Sequence, residues 1–239
     1  MAISFKDTRR TIGQYMLADG MSPIIDLEKS HGSWLVDGKT GKQYLDLFSM
    51  FASMSIGYNH PYILEHKDRL TRAAVNKPTN SDIYSPEMAE FVDTVGRVAQ
   101  PDYLPYSFFI EGGTLAVENT LKTAFDWKVR KNLQQGKPEG GGQVIHLKDC
   151  FHGRSGYTMS LTDSPDPRKV QYFPKFNWPR VTNPSMVFPM NEENMAAVQA
   201  LEEQSIQEIK GILREQADNI ACMILEPIQG EGGDNHFRP

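Results

Sequence analysis

The chain has 239 residues, 39% hydrophobic and 23% charged, with a formal net charge of −5. That is enough apolar material for one large domain, or one domain and part of another, and it excludes wholesale disorder. An acidic balance with no basic run also argues against a nucleic-acid or membrane surface.

The two cysteines, Cys150 and Cys222, are expected to be buried, reduced thiols. The N-terminus "MAISFKDTRR" has no apolar core of signal-peptide length. No segment has the length and apolarity of a membrane span. The expectation is a soluble cytoplasmic protein.

In chain order, "GSWLVDGKTGKQYLDLF" predicts a hairpin, with two apolar runs flanking the turn chemistry of Asp37-Gly38-Lys39-Thr40-Gly41. "SMFASMSIGYNHP" is rich in small residues, and Met50 and Met54 within it are expected to pack. A helix is expected from Pro61, because proline suits a first helical turn. Met88, Phe91, Val92, Val95 and Ala99 follow a helical period, with Ser85-Pro86-Glu87 as the start signal. "YSFFI", Tyr106 to Ile110, reads as a fully buried strand. Val117, Leu121, Ala124, Phe125 and Val129 then mark one face of a helix. "QVIHL" is a further strand. Residues 163–189 are rich in prolines and aromatics and read as an ordered excursion in which Tyr172, Phe173, Phe176 and Trp178 need burial. Asn191 to Asp218 reads as a long helical region with a break near Ser205. "ACMILEPIQGEGG" is a buried strand emptying into a glycine-rich loop.

From Met88 onward helix and strand alternate, which predicts an α/β domain with a mostly parallel sheet. Residues 1–75 differ in character and read as a small N-terminal α+β segment, with 76–239 as the larger domain.

Three places could carry chemistry. Gly112-Gly113-Thr114 sits at a strand-to-helix junction, just after Glu111. A helix N-terminus offers unpaired N–H groups and a partial positive charge, glycine lets an anion approach, and a threonine hydroxyl adds a donor. A tight turn with Thr114 as cap is the other reading. "DCFHGRSGYT", Asp149 to Thr158, follows a strand, where ligands of α/β proteins gather. There Phe151 could stack on a planar ring, and Arg154 could grip a carboxylate. A loop with one core phenylalanine and a surface arginine is the plainer alternative. His152 has no partner at zinc-like spacing, so no metal role is expected. In "LEPIQGEGG", Glu226 closes a buried strand and Glu231 follows in a flexible setting. Either could accept a hydrogen bond from a ligand or be a solvated loop acid.

Taken in order, "HGSWLVDGKTGKQYLDLFS", "GYNHP", "FFIEGGTLAVENTLKTAF", "FHGRSGYT" and "ILEPIQGEGG" resemble the class III pyridoxal-phosphate aminotransferases of fold type I, from about Gly32 to the end of the chain. The family's phosphate motif resembles N-S-G-x-E-A. Here Glu111, Gly112 and Leu115 replace its Asn, Ser and Glu. That departure, with "EGGTLAVEN", "AFDWK" and "GEGGDNHFRP", is similar to the L-lysine 6-aminotransferase branch.

The resemblance implies the rest. The cofactor would be pyridoxal 5'-phosphate and the substrates L-lysine and 2-oxoglutarate, giving 2-aminoadipate 6-semialdehyde and glutamate. Gly113 and Thr114 would hold the cofactor phosphate. Phe151 would stack on its ring, with His152 nearby, and Glu226 would lie near the ring and its 3'-oxygen. Arg154 would hold the α-carboxylate of lysine, and Glu231 would be a movable gate. The protein would be a homodimer, with Met50 to Ile56 near the interface. The Schiff-base lysine is expected beyond Pro239, so this chain alone is expected not to transaminate. Ornithine or 4-aminobutyrate as amino donor, or a non-catalytic truncated product, are the alternatives. Glu111 is expected to turn its carboxylate away from the phosphate.

Overall fold

The structure, a computed structural model, describes residues 3–78 and 81–238. It comprises two compact units, Met1–Pro105 and Tyr106–Pro239. Composition alone places a change of character near residue 75. Within the first unit, Arg69 on one helix forms an ion pair with Glu90 on the next.

The first unit contains α1 (Thr8–Ile12), β1 (Trp34–Val36), β2 (Gln43–Leu45), α2 (Pro61–Glu65), α3 (Lys67–Val75) and α4 (Pro86–Val98). The expected hairpin is present, with β1 and β2 pairing antiparallel. Its turn is organised by Asp37. Asp37 Oδ1 accepts from the Ile24 amide at 2.9 Å and Oδ2 from the Thr40 hydroxyl at 2.7 Å. These bonds favour the charged carboxylate and hold the Asp37 pKa below its ordinary value.

α2 begins at Pro61, as the sequence indicates. The Ser85 hydroxyl caps α4 by accepting from the Met88 amide at 3.2 Å. The apolar face of α4 is present but not buried: Phe91 is 52% and Val92 38% exposed. Met50 and Met54 are half-buried. A left-handed turn runs through the first of them, with φ from +49° to +65° over Ser49, Met50, Phe51 and Ala52. L-residues pay roughly 1–2 kcal/mol each for that conformation.

The second unit contains α5 (Gly113–Gln134), β3 (Gln143–Leu147), α6 (Gly156–Leu161), β4 (Arg180–Val181), α7 (Glu192–Gln216), β5 (Ile220–Ile224), β6 (Ile228–Gln229) and β7 (Asn235–His236). β4, β3 and β5 form a sheet in that order, parallel at both pairings. Helices cover both faces. On one side Leu121, Val144, Leu161 and Trp178 are buried together, with Val117 and Phe125 of α5 packed on them. On the other, Ile145, Leu147, Val181 and Ile220 meet Ile209 and Ile212 of α7. The alternation of Val144 and Ile145 between the two faces is the period-two geometry of a strand. This is the expected α/β architecture with a parallel sheet.

Three expectations change. Tyr106 to Ile110 is not a strand, and Tyr106 and Phe108 are 92% and 73% exposed. An apolar run becomes a strand only when a neighbouring strand takes up its amides, and the ladders of the described residues do not extend to it. Of the four aromatics at 172–178 only Trp178 is buried. It stacks on Phe176 with centroids 5.3 Å apart and meets Phe125 edge-on at 5.7 Å, while Tyr172 and Phe173 face outward. Finally, α7 runs unbroken through Ser205, whose small side chain is buried on the inward face.

Candidate active site

The candidate residues all belong to the second unit, and the fold brings them to the C-terminal ends of β3 and β5, where open α/β sheets bind ligands. Gly112, the residue just before α5, has φ +88°. That conformation is strained for any residue with a Cβ and lets the chain turn sharply into the helix. No side chain caps the turn, and the positions a Cβ would occupy at Gly112 and Gly113 are open. The first-turn amides are therefore accessible to an anion. Glu111 is exposed.

The loop after β3 packs onto this turn through Gly153. Its φ is +126°, and a Cβ there would lie 2.5 Å from Thr114 Oγ1 and 2.8 Å from Thr158 Oγ1. Thr114 and the Phe151–Arg154 loop are thus held together by a backbone approach that only glycine permits. Glu118, one turn along α5 from Thr114, ties the same loop down. Its Oε1 accepts from the Ser155 hydroxyl at 2.5 Å and from the Thr158 amide at 3.0 Å. The Thr162 hydroxyl accepts from the His152 amide at 3.0 Å and donates to the Gly153 carbonyl at 2.7 Å.

Phe151 is half-buried, and its amide donates to Glu226 Oε1 at 2.8 Å. This bond joins the loop after β3 to the end of β5. Burial raises the Glu226 pKa; the Phe151 hydrogen bond lowers it, and the charge of Glu231 raises it further. His152 is buried, and burial pulls its imidazole down to about 4, so it is neutral at pH 7. Its Nε2 is buried with no hydrogen-bond partner. Arg154 is exposed and makes no hydrogen bond or ion pair among the described residues. Glu231 Oε1 accepts from the Ser164 hydroxyl at 2.7 Å and pairs with Lys169 Nζ at 2.6 Å.

The loop holding Glu226 and Glu231 rests on a buried amide network. Gln229 Nε2 donates to the Lys148 carbonyl, and Gln229 Oε1 accepts from both Asn183 and Asn235. Gly232 lies so close to Asp149 that a Cβ would fall 1.9 Å from the Asp149 carbonyl oxygen.

An open, uncapped helix start beside a threonine, a half-buried aromatic ring, an orphaned imidazole nitrogen and a carboxylate at a strand end fit a phosphorylated planar cofactor such as pyridoxal phosphate. The structure brings Gly113 and Thr114 together with the Phe151–Arg154 loop, and Phe151 with Glu226. The sequence reading passed over Gly153, Glu118, Lys169 and Gln229. Of these only Glu118 left a local signal, four positions after Thr114 on the same helical face. A surface hollow of about 500 Å³ beside Gln143, Trp178, Arg180 and Gln216 lies at the opposite, N-terminal edge of the sheet.

Residues 15–239 match the aminotransferase class-III family. An L-lysine-epsilon aminotransferase of Mycobacterium tuberculosis is 49% identical over 232 residues, which is 95% of this chain and 51% of that protein. One from Streptomyces clavuligerus is 48% identical, over 97% of this chain and 51% of its own length. A 4-aminobutyrate aminotransferase of Emericella nidulans is 30% identical over 92% of this chain. A solved lysine aminotransferase from M. tuberculosis superposes with a TM-score of 0.92 at 47% identity, covering 98% of this chain and 54% of that one. The chain therefore spans about half the length of the curated relatives it matches. No helix among the described residues is long and apolar enough to cross a membrane.

Proposed function

This chain belongs to the class-III aminotransferases, a pyridoxal-phosphate family, and we propose that it builds the phosphate and ring side of a site that moves the ε-amino group of L-lysine to 2-oxoglutarate. The observation that carries the reading is the junction of Thr114, Gly153 and Phe151 with Glu226, where α5, the loop after β3 and the end of β5 meet. The lysine assignment is supported by the relatives at 48–49% identity that carry that name.

Bound pyridoxal phosphate supplies an electron sink for the carbon that carries the transferred amine. The amides at Gly113 and Thr114 and the Thr114 hydroxyl would hold the phosphate, with the positive end of α5 adding to the attraction. Phe151 would cover one face of the ring. Glu226, already fixed by the Phe151 amide, would accept a hydrogen bond at the ring's edge, and neutral His152 would offer its free nitrogen beside it. Arg154, without a hydrogen bond or ion pair among the described residues, would take the α-carboxylate of lysine in a two-point grip and so leave the ε-amine at the reacting end. Glu231 would move aside for the second substrate. A cytoplasmic homodimer belongs to the same reading. It is supported by the exposed Leu47, Phe51 and Ile56 near the left-handed turn, apolar area of a kind that subunit contacts cover.

Two measurements test this. Pyridoxal-phosphate binding by equilibrium dialysis should weaken about tenfold in Thr114→Val, the loss of one charge-assisted hydrogen bond. Unchanged binding refutes the phosphate assignment. Glutamate formation with lysine, ornithine and 4-aminobutyrate as competing donors, in the polypeptide that carries this chain, should favour lysine. It should lose that preference in Arg154→Ala through KM. A higher kcat/KM with either other donor overturns the substrate assignment.

A further inference from the structure

We propose that Glu118 is a positioning residue for the amino donor: from α5 it fixes the backbone that aims Arg154 at the substrate's α-carboxylate. This deepens the role given to Arg154 above and rests on it.

The Arg154 side chain has nothing of its own to set its direction. It is exposed and makes no hydrogen bond or ion pair among the described residues. A guanidinium grips a carboxylate at two points only when its planar fork arrives in line. With no partner on the side chain, its aim depends on how firmly the backbone beneath it is held.

That backbone is held on both sides. Before Arg154, the Gly153 carbonyl accepts from the Thr162 hydroxyl at 2.7 Å, and a Cβ at Gly153 would clash with Thr114 and Thr158. After it, the Ser155 hydroxyl donates to Glu118 Oε1 at 2.5 Å, and the Ser155 amide donates to Thr158 Oγ1 at 3.0 Å. The Thr158 amide donates to the same Glu118 oxygen at 3.0 Å. One carboxylate oxygen therefore closes both ends of the Ser155–Thr158 turn. α6 is six residues long, too short to hold its own first turn strongly. Glu118 supplies that hold from 37 positions earlier in the chain.

The two ends of the loop have separate anchors. The Phe151 amide is tied to Glu226 and the His152 amide to Thr162. Neither bond involves Glu118. Loosening Glu118 should therefore disturb the Arg154 end and spare the ring-stacking end, so that substrate affinity falls while cofactor affinity holds. Reach and charge also separate. Glutamine keeps an acceptor oxygen at the same distance without the charge. Aspartate keeps the charge and withdraws the oxygen by one methylene.

The test is steady-state glutamate formation from lysine in the polypeptide that carries this chain. KM for lysine should rise about tenfold in Glu118→Ala and Glu118→Asp with kcat within about threefold, and stay within about threefold in Glu118→Gln. A merely structural loss of folded protein would lower apparent kcat and leave KM alone. In an Arg154→Ala background, Glu118→Ala should change KM by less than about twofold, because one acts through the other. Amide exchange in the isotope-labelled 239-residue chain gives a readout without turnover: the Thr158 amide should exchange faster in the alanine and aspartate variants, and the Phe151 amide should not. Pyridoxal-phosphate affinity should be native in all three Glu118 variants. A native KM in Glu118→Ala, a KM retained by aspartate and lost by glutamine, or additive effects with Arg154→Ala overturns the proposal alone. A native KM in Arg154→Ala overturns the role of Arg154 as well, and so marks a failure of the proposed function.

Discussion

The Phe151 amide donates to Glu226 Oε1 at 2.8 Å, across 75 positions of sequence. One hydrogen bond thereby couples the loop that carries a candidate ring-stacking residue to the strand end that carries a candidate carboxylate. Glu226→Ala removes the acceptor and leaves a half-buried amide unpaired, at an expected cost of about 1–2 kcal/mol. Glu226→Gln keeps an oxygen in place and removes the charge. Because the folded-state pKa of Glu226 is raised, its stability contribution is full below the unfolded pKa and is lost as pH rises through the folded one. Relative to the native chain, Glu226→Gln should therefore gain stability between pH 4 and 8. Urea melts at both values check this, and a constant difference contradicts it.

Gly153 is the point where the loop and α5 touch. Gly153→Ala would place a methyl 2.5 Å from Thr114 Oγ1, at a φ of +126° that alanine disfavours. Both effects act together, and a loss of about 2–4 kcal/mol in denaturant unfolding is expected. Gly113→Ala, where the Cβ position is open, should cost under ~1 kcal/mol. Similar losses at the two positions would show that the contact with Thr114 does not constrain the loop.

Two buried imidazoles set the acid limit. His146 and His152 are both pulled down to about 4 by burial, and Arg180 Nε donates to His146 Nε2 at 3.1 Å, which requires that nitrogen to be unprotonated. A depressed pKa means the unfolded chain binds more protons. Stability is thus complete above about 6.5 and falls as pH drops toward 4, by on the order of 3 kcal/mol per imidazole at the lower end. Melting temperature across pH 4–7 should show this slope, and His152→Gln should flatten it. An unaltered slope in the variant would remove His152 from the account.

Cys150 is fully buried, its thiol donates to the Leu161 carbonyl at 3.0 Å, and burial pushes it up to about 12. Burial raises Cys222 as well. The thiolate is the reactive form, so both residues should resist iodoacetamide at pH 8 in the folded chain and react once it is unfolded. Mass spectrometry of the alkylated native protein checks this; modification of Cys150 without unfolding would show that its surroundings open.

Local chemistry determined much of this protein in advance. The hairpin around Asp37–Gly41, the start of α2 at Pro61, the Ser85 cap, the α5 face through Leu121 and the strand "QVIHL" depend on turn residues, caps and periodicity that act within a few positions. The glycine turn into α5 was legible for the same reason. Tertiary structure decided what depends on partners distant in sequence. It left Tyr106 to Ile110 outside any strand, because strand formation needs a neighbour's amides and not only an apolar run. It buried Trp178 and not Tyr172, because α5 supplies Phe125 at one place only. It also paired Lys169 with Glu231, 62 positions apart, and set Gly153 against Thr114. No period or motif encodes such contacts, since packing of the whole chain fixes which side chains meet.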